Sequence, residues 1–449
     1  MISRRGMMAR SAGLGFASLF ATGGQGLAQV RQPPSILIRN VRIFDGVTAR
    51  LSNGHVLVSG ERIAAVSGSE IAPPDGATLI DGGGRVLMPG LTDAHFHLFM
   101  RRAAPRAFRQ ADAGMLFAAA VVEAENLLMR GITTIRDTAG PVFGIKSAID
   151  EGVIPGPRIF PSGAMISQTS GHGDHGDRLA PSDNMGGPPS DFSLLGYEFV
   201  ANGVPAVLTA ARTQLRKGAS QLKFAAGGGV TSDFDPISSL QYSPEEQRAI
   251  VAAATDWGTY ATAHVYTADG IRRAIDAGVR CIEHGHLADE KTLRLMAEKR
   301  VWLSTQAFDA DGPASDPKIR AKAARINGAY RELLPMASRV GVNLAYGTDI
   351  VMDPDEVSEA PTLARFASAL SVAEALRIVT SGNAELFEMA GERNSYRDAS
   401  LGRIRPRAWA DILLVRGDPT QDISILSDPR NIEFVMKSGQ IHKDAATAP

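Results

Sequence analysis

Met88–Met100, MPGLTDAHFHLFM, is an apolar run interrupted by Asp93, His95 and His97. Side chains alternate along a β-strand, so His95 and His97, two residues apart, share a face. Two imidazoles on one face are suited to sharing a metal ion, since a neutral ring nitrogen ligates zinc and its neighbours well. Two unrelated polar residues at a strand end would give the same short pattern. The rest of the chain has to decide between them.

Upstream, the runs SILIRNVRIFDG, HVLVSGERIAAVSG and ATLIDGGGRVLMPG are rich in Val and Ile and punctuated by Gly, Asn and Asp. They read as antiparallel strands. From Leu91 onward the rhythm changes. The strand candidates LTDAHFHL, GITTIRDT, RIFPSGAMI, ASQLKFAA, YATAHVYT, VRCIEHGH, VWLSTQAF and VNLAYGTDI are separated in several places by amphipathic stretches. Two of these stretches are MLFAAAVVEAENLLMR and SPEEQRAIVAAATDWG; in the second, Ser243 followed by Pro244, Glu245 and Glu246 is a strong helix start. Eight strand–helix units in roughly 300 residues predict an α/β fold, a (β/α)8 TIM barrel. The tail segments LGRIRPRAWADILLVRGDP and NIEFVMKSGQIHK are β-like again. They are expected to return to the N-terminal strands and complete a small β-sandwich built from both chain ends. The expected domains are 30–89 and 388–449 for the sandwich and 90–387 for the barrel, with Ala384–Met389 in the helix before the return. The Gly-, Asp- and Pro-rich stretch Gly171–Asp191 reads as a long loop after the third barrel strand.

The chain has 449 residues, 44% hydrophobic and 21% charged, an ordinary globular composition able to bury a large core. Its formal net charge is −1 with no long run of one sign, which argues against a nucleic-acid partner or a polybasic membrane anchor. The lone Cys281 excludes an intrachain disulfide. Residues 1–29 read as a signal peptide: Arg4 and Arg5, a small-apolar stretch from Ser11 to Ala21, and small residues before a cleavage site near Ala28 or Gln29. The apolar part is too short to span a bilayer. The Ser3-Arg4-Arg5 start favours a twin-arginine signal over a general secretory one. The expectation is an exported, periplasmic protein with no membrane anchor after cleavage.

Residues with metal-ligand chemistry recur at strand ends: His95 and His97 on the first, Lys223 on the fourth, His264 on the fifth, His284 on the sixth and Asp349 on the eighth. Strand carboxyl ends form the active-site face of such a barrel, so these six converge on one rim. Each alone has a bland alternative: a hydrogen-bonded histidine, a snorkelling lysine, an aspartate capping a turn. Bland readings at five strand ends together are much less probable. Cys281 is expected on the face opposite His284 and is not counted as a ligand.

The segments PGLTDAHFHL, QLKFAAGGGV, ATAHVYTADGIRRAIDAGVRCIEHGH and YGTDI together resemble the amidohydrolase superfamily, more narrowly its imidazolonepropionase-related branch of metal-dependent prolidases, dipeptidases and ochratoxin-hydrolysing enzymes. The resemblance covers nearly the whole chain after the leader. It implies two divalent metal ions, most simply zinc. His95, His97 and Asp349 would hold the more buried ion and His264 and His284 the more exposed one. Lys223 would be carboxylated to a carbamate bridging both, and Asp349 would shuttle the proton of the attacking water to the leaving nitrogen. It also implies a small-molecule amide or dipeptide substrate, carboxypeptidase-like cleavage that extends to ochratoxin A, and a homo-oligomer.

Substrate contacts are expected from His172, in TSGHGDHGD, from Tyr266, which shares a strand face with His264, and from His286, with His175 as a further lining residue. His55 and His442 fall in the expected sandwich and Lys217 at a helix end, without chemical roles. Two alternatives stay open: a hydrolase of cyclic amides, and a barrel that binds metal without catalysis. A proton-shuttling Asp349 argues against the latter.

Overall fold

The computed structural model describes residues 35–102, 112–182, 185–308, 317–351 and 359–446. The leader, 1–29, lies outside the described residues.

Five strands precede the His-x-His segment: β1 (Ser35–Ile43), β2 (Ser52–Ser59), β3 (Arg62–Ser67), β4 (Thr78–Asp81) and β5 (Val86–Pro89). Ten more follow: β6 (Leu91–Phe96), β7 (Ile132–Asp137), β8 (Arg158–Pro161), β9 (Met165–Ser167), β10 (Glu198–Val200), β11 (Leu222–Ala225), β12 (Ala261–Thr267), β13 (Cys281–Leu287), β14 (Trp302–Thr305) and β15 (Leu344–Tyr346). The tail supplies β16 (Ile412–Val415), β17 (Ile432–Lys437) and β18 (Gln440–Asp444).

The chain ends share one eight-stranded sheet in the order β18-β17-β16-β5-β1-β2-β3, with β4 also on β1. The tail therefore returns to the N-terminal strands, with β16 antiparallel to β5 and Leu413 opposite Met88. The expectation of antiparallel strands throughout needs correction. β1 is antiparallel to β2 but parallel to β4 and β5. Two reversals, β1 to β2 to β3, restore the starting direction, and the connection after Ser67 carries the chain back across the sheet. Both faces are buried, with period two. Leu87, Ile412, Leu414, Phe434 and Met436 share a cluster with Ile38, Val56 and Val58, whereas Met88, Leu413, Val415 and Val435 join the main core.

The ten middle strands pair only in parallel, as β10-β9-β11-β12-β13-β14-β15 and β6-β7-β8. Apart from β10 and the last residues of β12 and β13, their side chains are buried, as expected of parallel strands covered on both faces. The third strand candidate splits into β8 and β9, and β10 pairs with β9 without any prior sequence signal. Gln221 ties the two sheets on one side, donating to Phe160 O and Ser162 Oγ. Asn383 ties them on the other, donating to Thr92 O and Tyr346 O while accepting from Tyr346 N.

Helices alternate with these strands. Pro244–Asp256 begins with the expected capping box, Ser243 and Glu246 satisfying each other's backbone N–H groups. Lys217 is the last residue of the helix Val204–Lys217. Asn383–Glu388 is the helix before the return, close to the expected Ala384–Met389. Among the described residues no helix is long and apolar enough to cross a membrane.

Candidate active site

β6, β11, β12, β13 and the turn after β15 bring His95, His97, Lys223, His264, His284 and Asp349 together, all buried or nearly so. His95 Nε2 is 3.4 Å and His97 Nε2 3.1 Å from Asp349 Oδ1, and His284 Nδ1 is 3.9 Å from Asp349 Oδ2. One potential ligand atom from each of His95, His284 and Asp349 fits within 4.8 Å of the others. His284 thus sits with His95 and Asp349, where the resemblance implied separate ions. His264 abuts His284, ring centres 4.4 Å apart.

Two backbone irregularities aim these groups. His284 has φ of 76° and Asp349 φ of 51°, left-handed conformations that cost free energy in residues carrying a Cβ. The Asp349 turn is tied down by its own N–H donating to His95 O at 2.9 Å, and by Thr348 Oγ1 donating to Asp93 at 2.7 Å. The His284 twist breaks strand alternation, so Glu283 and His284 both face inward. This corrects the reading of Cys281. It lies inside with Glu283, its Sγ 3.5 Å from the carboxylate and 3.7 Å from Arg136, not on an opposite face. It does not belong to the metal-capable cluster found among the described residues.

The partners of each ring decide which nitrogen is free. A carboxylate or carbonyl can only accept, so a ring nitrogen bonded to one carries the proton. His95 Nδ1 donates to Glu283 at 2.7 Å, His97 Nδ1 to Ala139 O at 3.1 Å, and His284 Nδ1 to Gln306 Oε1 at 2.7 Å. Their Nε2 atoms are left unprotonated, that of His97 lying 3.4 Å from the Thr138 hydroxyl. His264 Nε2 donates to Gly228 O at 3.3 Å, which leaves Nδ1 bare. The bare nitrogens of His95 and His97 face the Asp349 carboxylate and repel it unless a cation lies between them, and outer partners of this kind are what metal-binding histidines use. The donor set therefore fits divalent metal ions.

Electrostatics agree with a site built for added positive charge. Burial pushes His95 down to about 4, and the Lys223 ammonium adds to the effect. Burial first, then neighbouring rings and Lys223, hold His264 and His284 well below the usual imidazole range. Burial opposes ionisation of Asp349, yet His95, His97 and His284 hold its carboxyl far below the ordinary value. Burial brings Lys223 down to about 8, against the attraction of Glu283 and Asp349. No hydrogen bond to the Lys223 ammonium is present among the described residues.

The expected substrate contacts flank this cluster. His172 stacks on His264, centres 3.9 Å apart and planes at 16°. Tyr266 packs edge-on against His264 and stacks on His284. His286 donates through Nε2 to Gln306 O at 2.9 Å, and its buried Nδ1 has no partner among the described residues. His175 stands further back: Tyr197 touches both it and His97. His55 and His442 lie in the chain-end sheet, on β2 and β18.

Sequence reasoning missed Glu283, Arg136 and Gln306, which orient the rings without facing solvent. A charged residue in an otherwise buried strand was the available signal for Glu283, and strict strand alternation hid it.

A buried set of histidines, an aspartate and a lysine, carried on parallel strands and the turns that follow them, suits metal-dependent hydrolysis. The chain belongs to the amidohydrolase family, whose model matches residues 86–442. It is an enzyme that hydrolyses amide bonds, and metal dependence is typical of the family. Its fold is the family's mixed α/β fold of the TIM-barrel type. It is 31% identical to ochratoxinase from Aspergillus niger over 413 residues, 88% of this chain and 84% of that protein. The crystal structure of A. niger ochratoxinase superposes with a TM-score of 0.77, covering 92% of this chain and 96% of that one at 28% identity. A prolidase complexed with N-methylphosphonate-L-proline gives a TM-score of 0.82 at 32% identity, covering 91% and 100% of the two chains. A Xaa-Pro dipeptidase with methionine bound in its active site gives 0.79 at 27% identity, covering 91% and 100%.

Proposed function

We propose that this chain is a binuclear, zinc-dependent amidohydrolase. It cleaves the amide bond of dipeptides or N-acyl amino acids as a carboxypeptidase does, with ochratoxin A among the substrates. The carrying observation is that buried His95 and His97 turn bare Nε2 atoms toward Asp349, with His284 packed on His95, His264 packed on His284, and Lys223 buried as well. The likeness to an ochratoxinase, a prolidase and a Xaa-Pro dipeptidase supports the substrate class.

In this reading the parallel strands close as one (β/α)8 barrel over 90–387, and 30–89 with 388–449 fold as a small β-sandwich. The stitches made by Gln221 and Asn383 support closure. His95, His97, His264, His284 and Asp349 would hold two ions, and Lys223, carboxylated to a carbamate, would add an anionic ligand to that set. When bound, the ions supply Lewis acidity that polarises the scissile carbonyl and brings a water's pKa toward ~7. Asp349 accepts the nucleophile's proton and returns it to the leaving nitrogen, since an amine departs poorly unprotonated. His172, Tyr266 and His286 bind the part of the substrate beyond that nitrogen, where a free carboxylate needs hydrogen-bond donors. The resemblance supports a homo-oligomer, which sedimentation tests. The N-terminal sequence supports twin-arginine export to the periplasm. Replacing Arg4 and Arg5 by Lys should then strand uncleaved protein in the cytoplasm, whereas a general secretory signal tolerates that change.

The deciding experiment compares kcat/KM for N-acyl amino acids with their matched amides on metal-loaded protein. The free acids should be cleaved far faster. Equal values, with better turnover of lactams or cyclic ureides, would overturn the carboxypeptidase-like reading.

A further inference from the structure

We propose that Ser232 and Asp235 are positioning residues that fix the ring of His172 and decide which of its nitrogens meets the substrate. This rests on the reading of His172 as a substrate contact.

His172 follows β9 in an irregular segment, a setting in which a side chain is ordinarily free to turn. Here it is held on one ring face, at Nδ1 and at its backbone. One ring face lies on His264. Against the ring lies the backbone of Gly229, so close that a Cβ there would fall 1.8 Å from His172 Nδ1. Its backbone N–H donates to Gln241 Oε1 at 3.0 Å, and its Nδ1 lies 3.1 Å from Ser232 Oγ. Ser232 Oγ in turn donates to Asp235, whose other oxygen accepts from Gly229 N at 2.9 Å and Gln241 Nε2 at 2.8 Å.

The direction of these bonds follows from chemistry. The Asp235 carboxylate only accepts, so it takes the Ser232 hydroxyl proton, and the hydroxyl lone pair faces His172. Nδ1 must then carry the ring's proton toward Ser232, and Nε2 is the nitrogen left for the substrate. Gln241 spans the network, holding Asp235 with its amide N–H and the His172 backbone with its carbonyl. Lys322, from the helix Pro317–Ala323, donates to Gly229 O at 3.0 Å and Ser232 O at 2.6 Å. The connection after β14 therefore clasps the connection after β11 onto the histidine. Ser232, Asp235 and Gln241 are all buried. A surface loop with no task has little reason to bury a carboxylate, a hydroxyl and an amide around one ring, because each costs free energy to desolvate.

The test is a double-mutant cycle on metal-loaded enzyme with an N-acyl-phenylalanine and its amide as substrates. Ser232→Ala should keep full metal content and lower kcat/KM on the better substrate by about tenfold, mainly through KM, the size of one lost hydrogen bond. Ser232→Thr keeps the hydroxyl and should restore it. In a His172→Ala background the same Ser232→Ala change should add nothing, because Ser232 acts only through the ring. In 15N-histidine-labelled enzyme, a slowly exchanging Nδ1–H signal, assigned by its absence in His172→Ala, should vanish in Ser232→Ala and persist in Ser232→Thr. Additive losses in the cycle, or an Nδ1–H signal unaltered by Ser232→Ala, overturn the proposal. Equal turnover of acid and amide by the wild type overturns only the carboxylate reading, since cycle and spectrum are read without reference to that preference.

Discussion

Glu283→Gln separates what holds the fold from what holds the metal. The Glu283 side chain is fully buried and accepts from His95 Nδ1 at 2.7 Å, Arg136 Nη2 at 2.6 Å and Thr262 Oγ1. At 2.6 Å and an effective dielectric of ~20, the Arg136 contact is worth about 6 kcal/mol of Coulomb energy, against which both ions' desolvation must be set. A glutamine keeps the shape but has one acceptor oxygen for three donors and leaves the buried Arg136 guanidinium without a counter-ion. Breaking a buried pair on one side costs on the order of 3–5 kcal/mol. Loss of the carboxylate behind His95 should also weaken metal binding roughly 10–100-fold. Denaturant midpoints and chelator titrations measure the two effects. Arg136→Met combined with Glu283→Gln removes the orphaned charge and should recover most of the stability but not the metal affinity. Loss of less than ~1 kcal/mol together with unchanged metal affinity in Glu283→Gln would refute the reasoning.

Lys223→Ala should lose metal and activity together, with partial recovery of both in a short carboxylic acid plus bicarbonate. Lys223→Arg should recover neither; near-normal turnover in Lys223→Ala removes the carbamate bridge. Asp349→Asn should retain much of its metal yet lose turnover by orders of magnitude, and metal analysis beside kcat decides it. Lys437 is buried, donates to Gly156 O, and burial brings it from 10.5 down to about 8. Between those values the unfolded chain binds the extra proton, so unfolding free energy rises with pH. Lys437→Met abolishes this dependence. Relative to that variant, wild type should gain up to about 3 kcal/mol as pH climbs through the window, and a constant difference across it would count against the burial argument.

Much of this protein is legible in its sequence because the signals are local. Period-two burial and Gly/Asn punctuation mark the strands. The capping box at Ser243 marks a helix start, and metal-capable residues recur on five of the eight barrel-strand candidates. His95, His97, Lys223, His264, His284, Asp349, His172, Tyr266 and His286 all lie in or beside the cluster where such reasoning places them. Three things depended on tertiary structure. The parallel partners of β1 follow from a long return across the sheet, which no local pattern encodes. The inward turn of Glu283 beside His284 follows from one left-handed residue, and strict alternation predicts the reverse. The tautomer of each histidine is set by acceptors far along the chain: Glu283 lies 188 residues from His95, and Ser232 lies 60 from His172. Composition and periodicity fix which residues are available and which way strands tend to face. A hydrogen bond's direction depends on which group lies within 3 Å of the ring, and only the folded chain decides that.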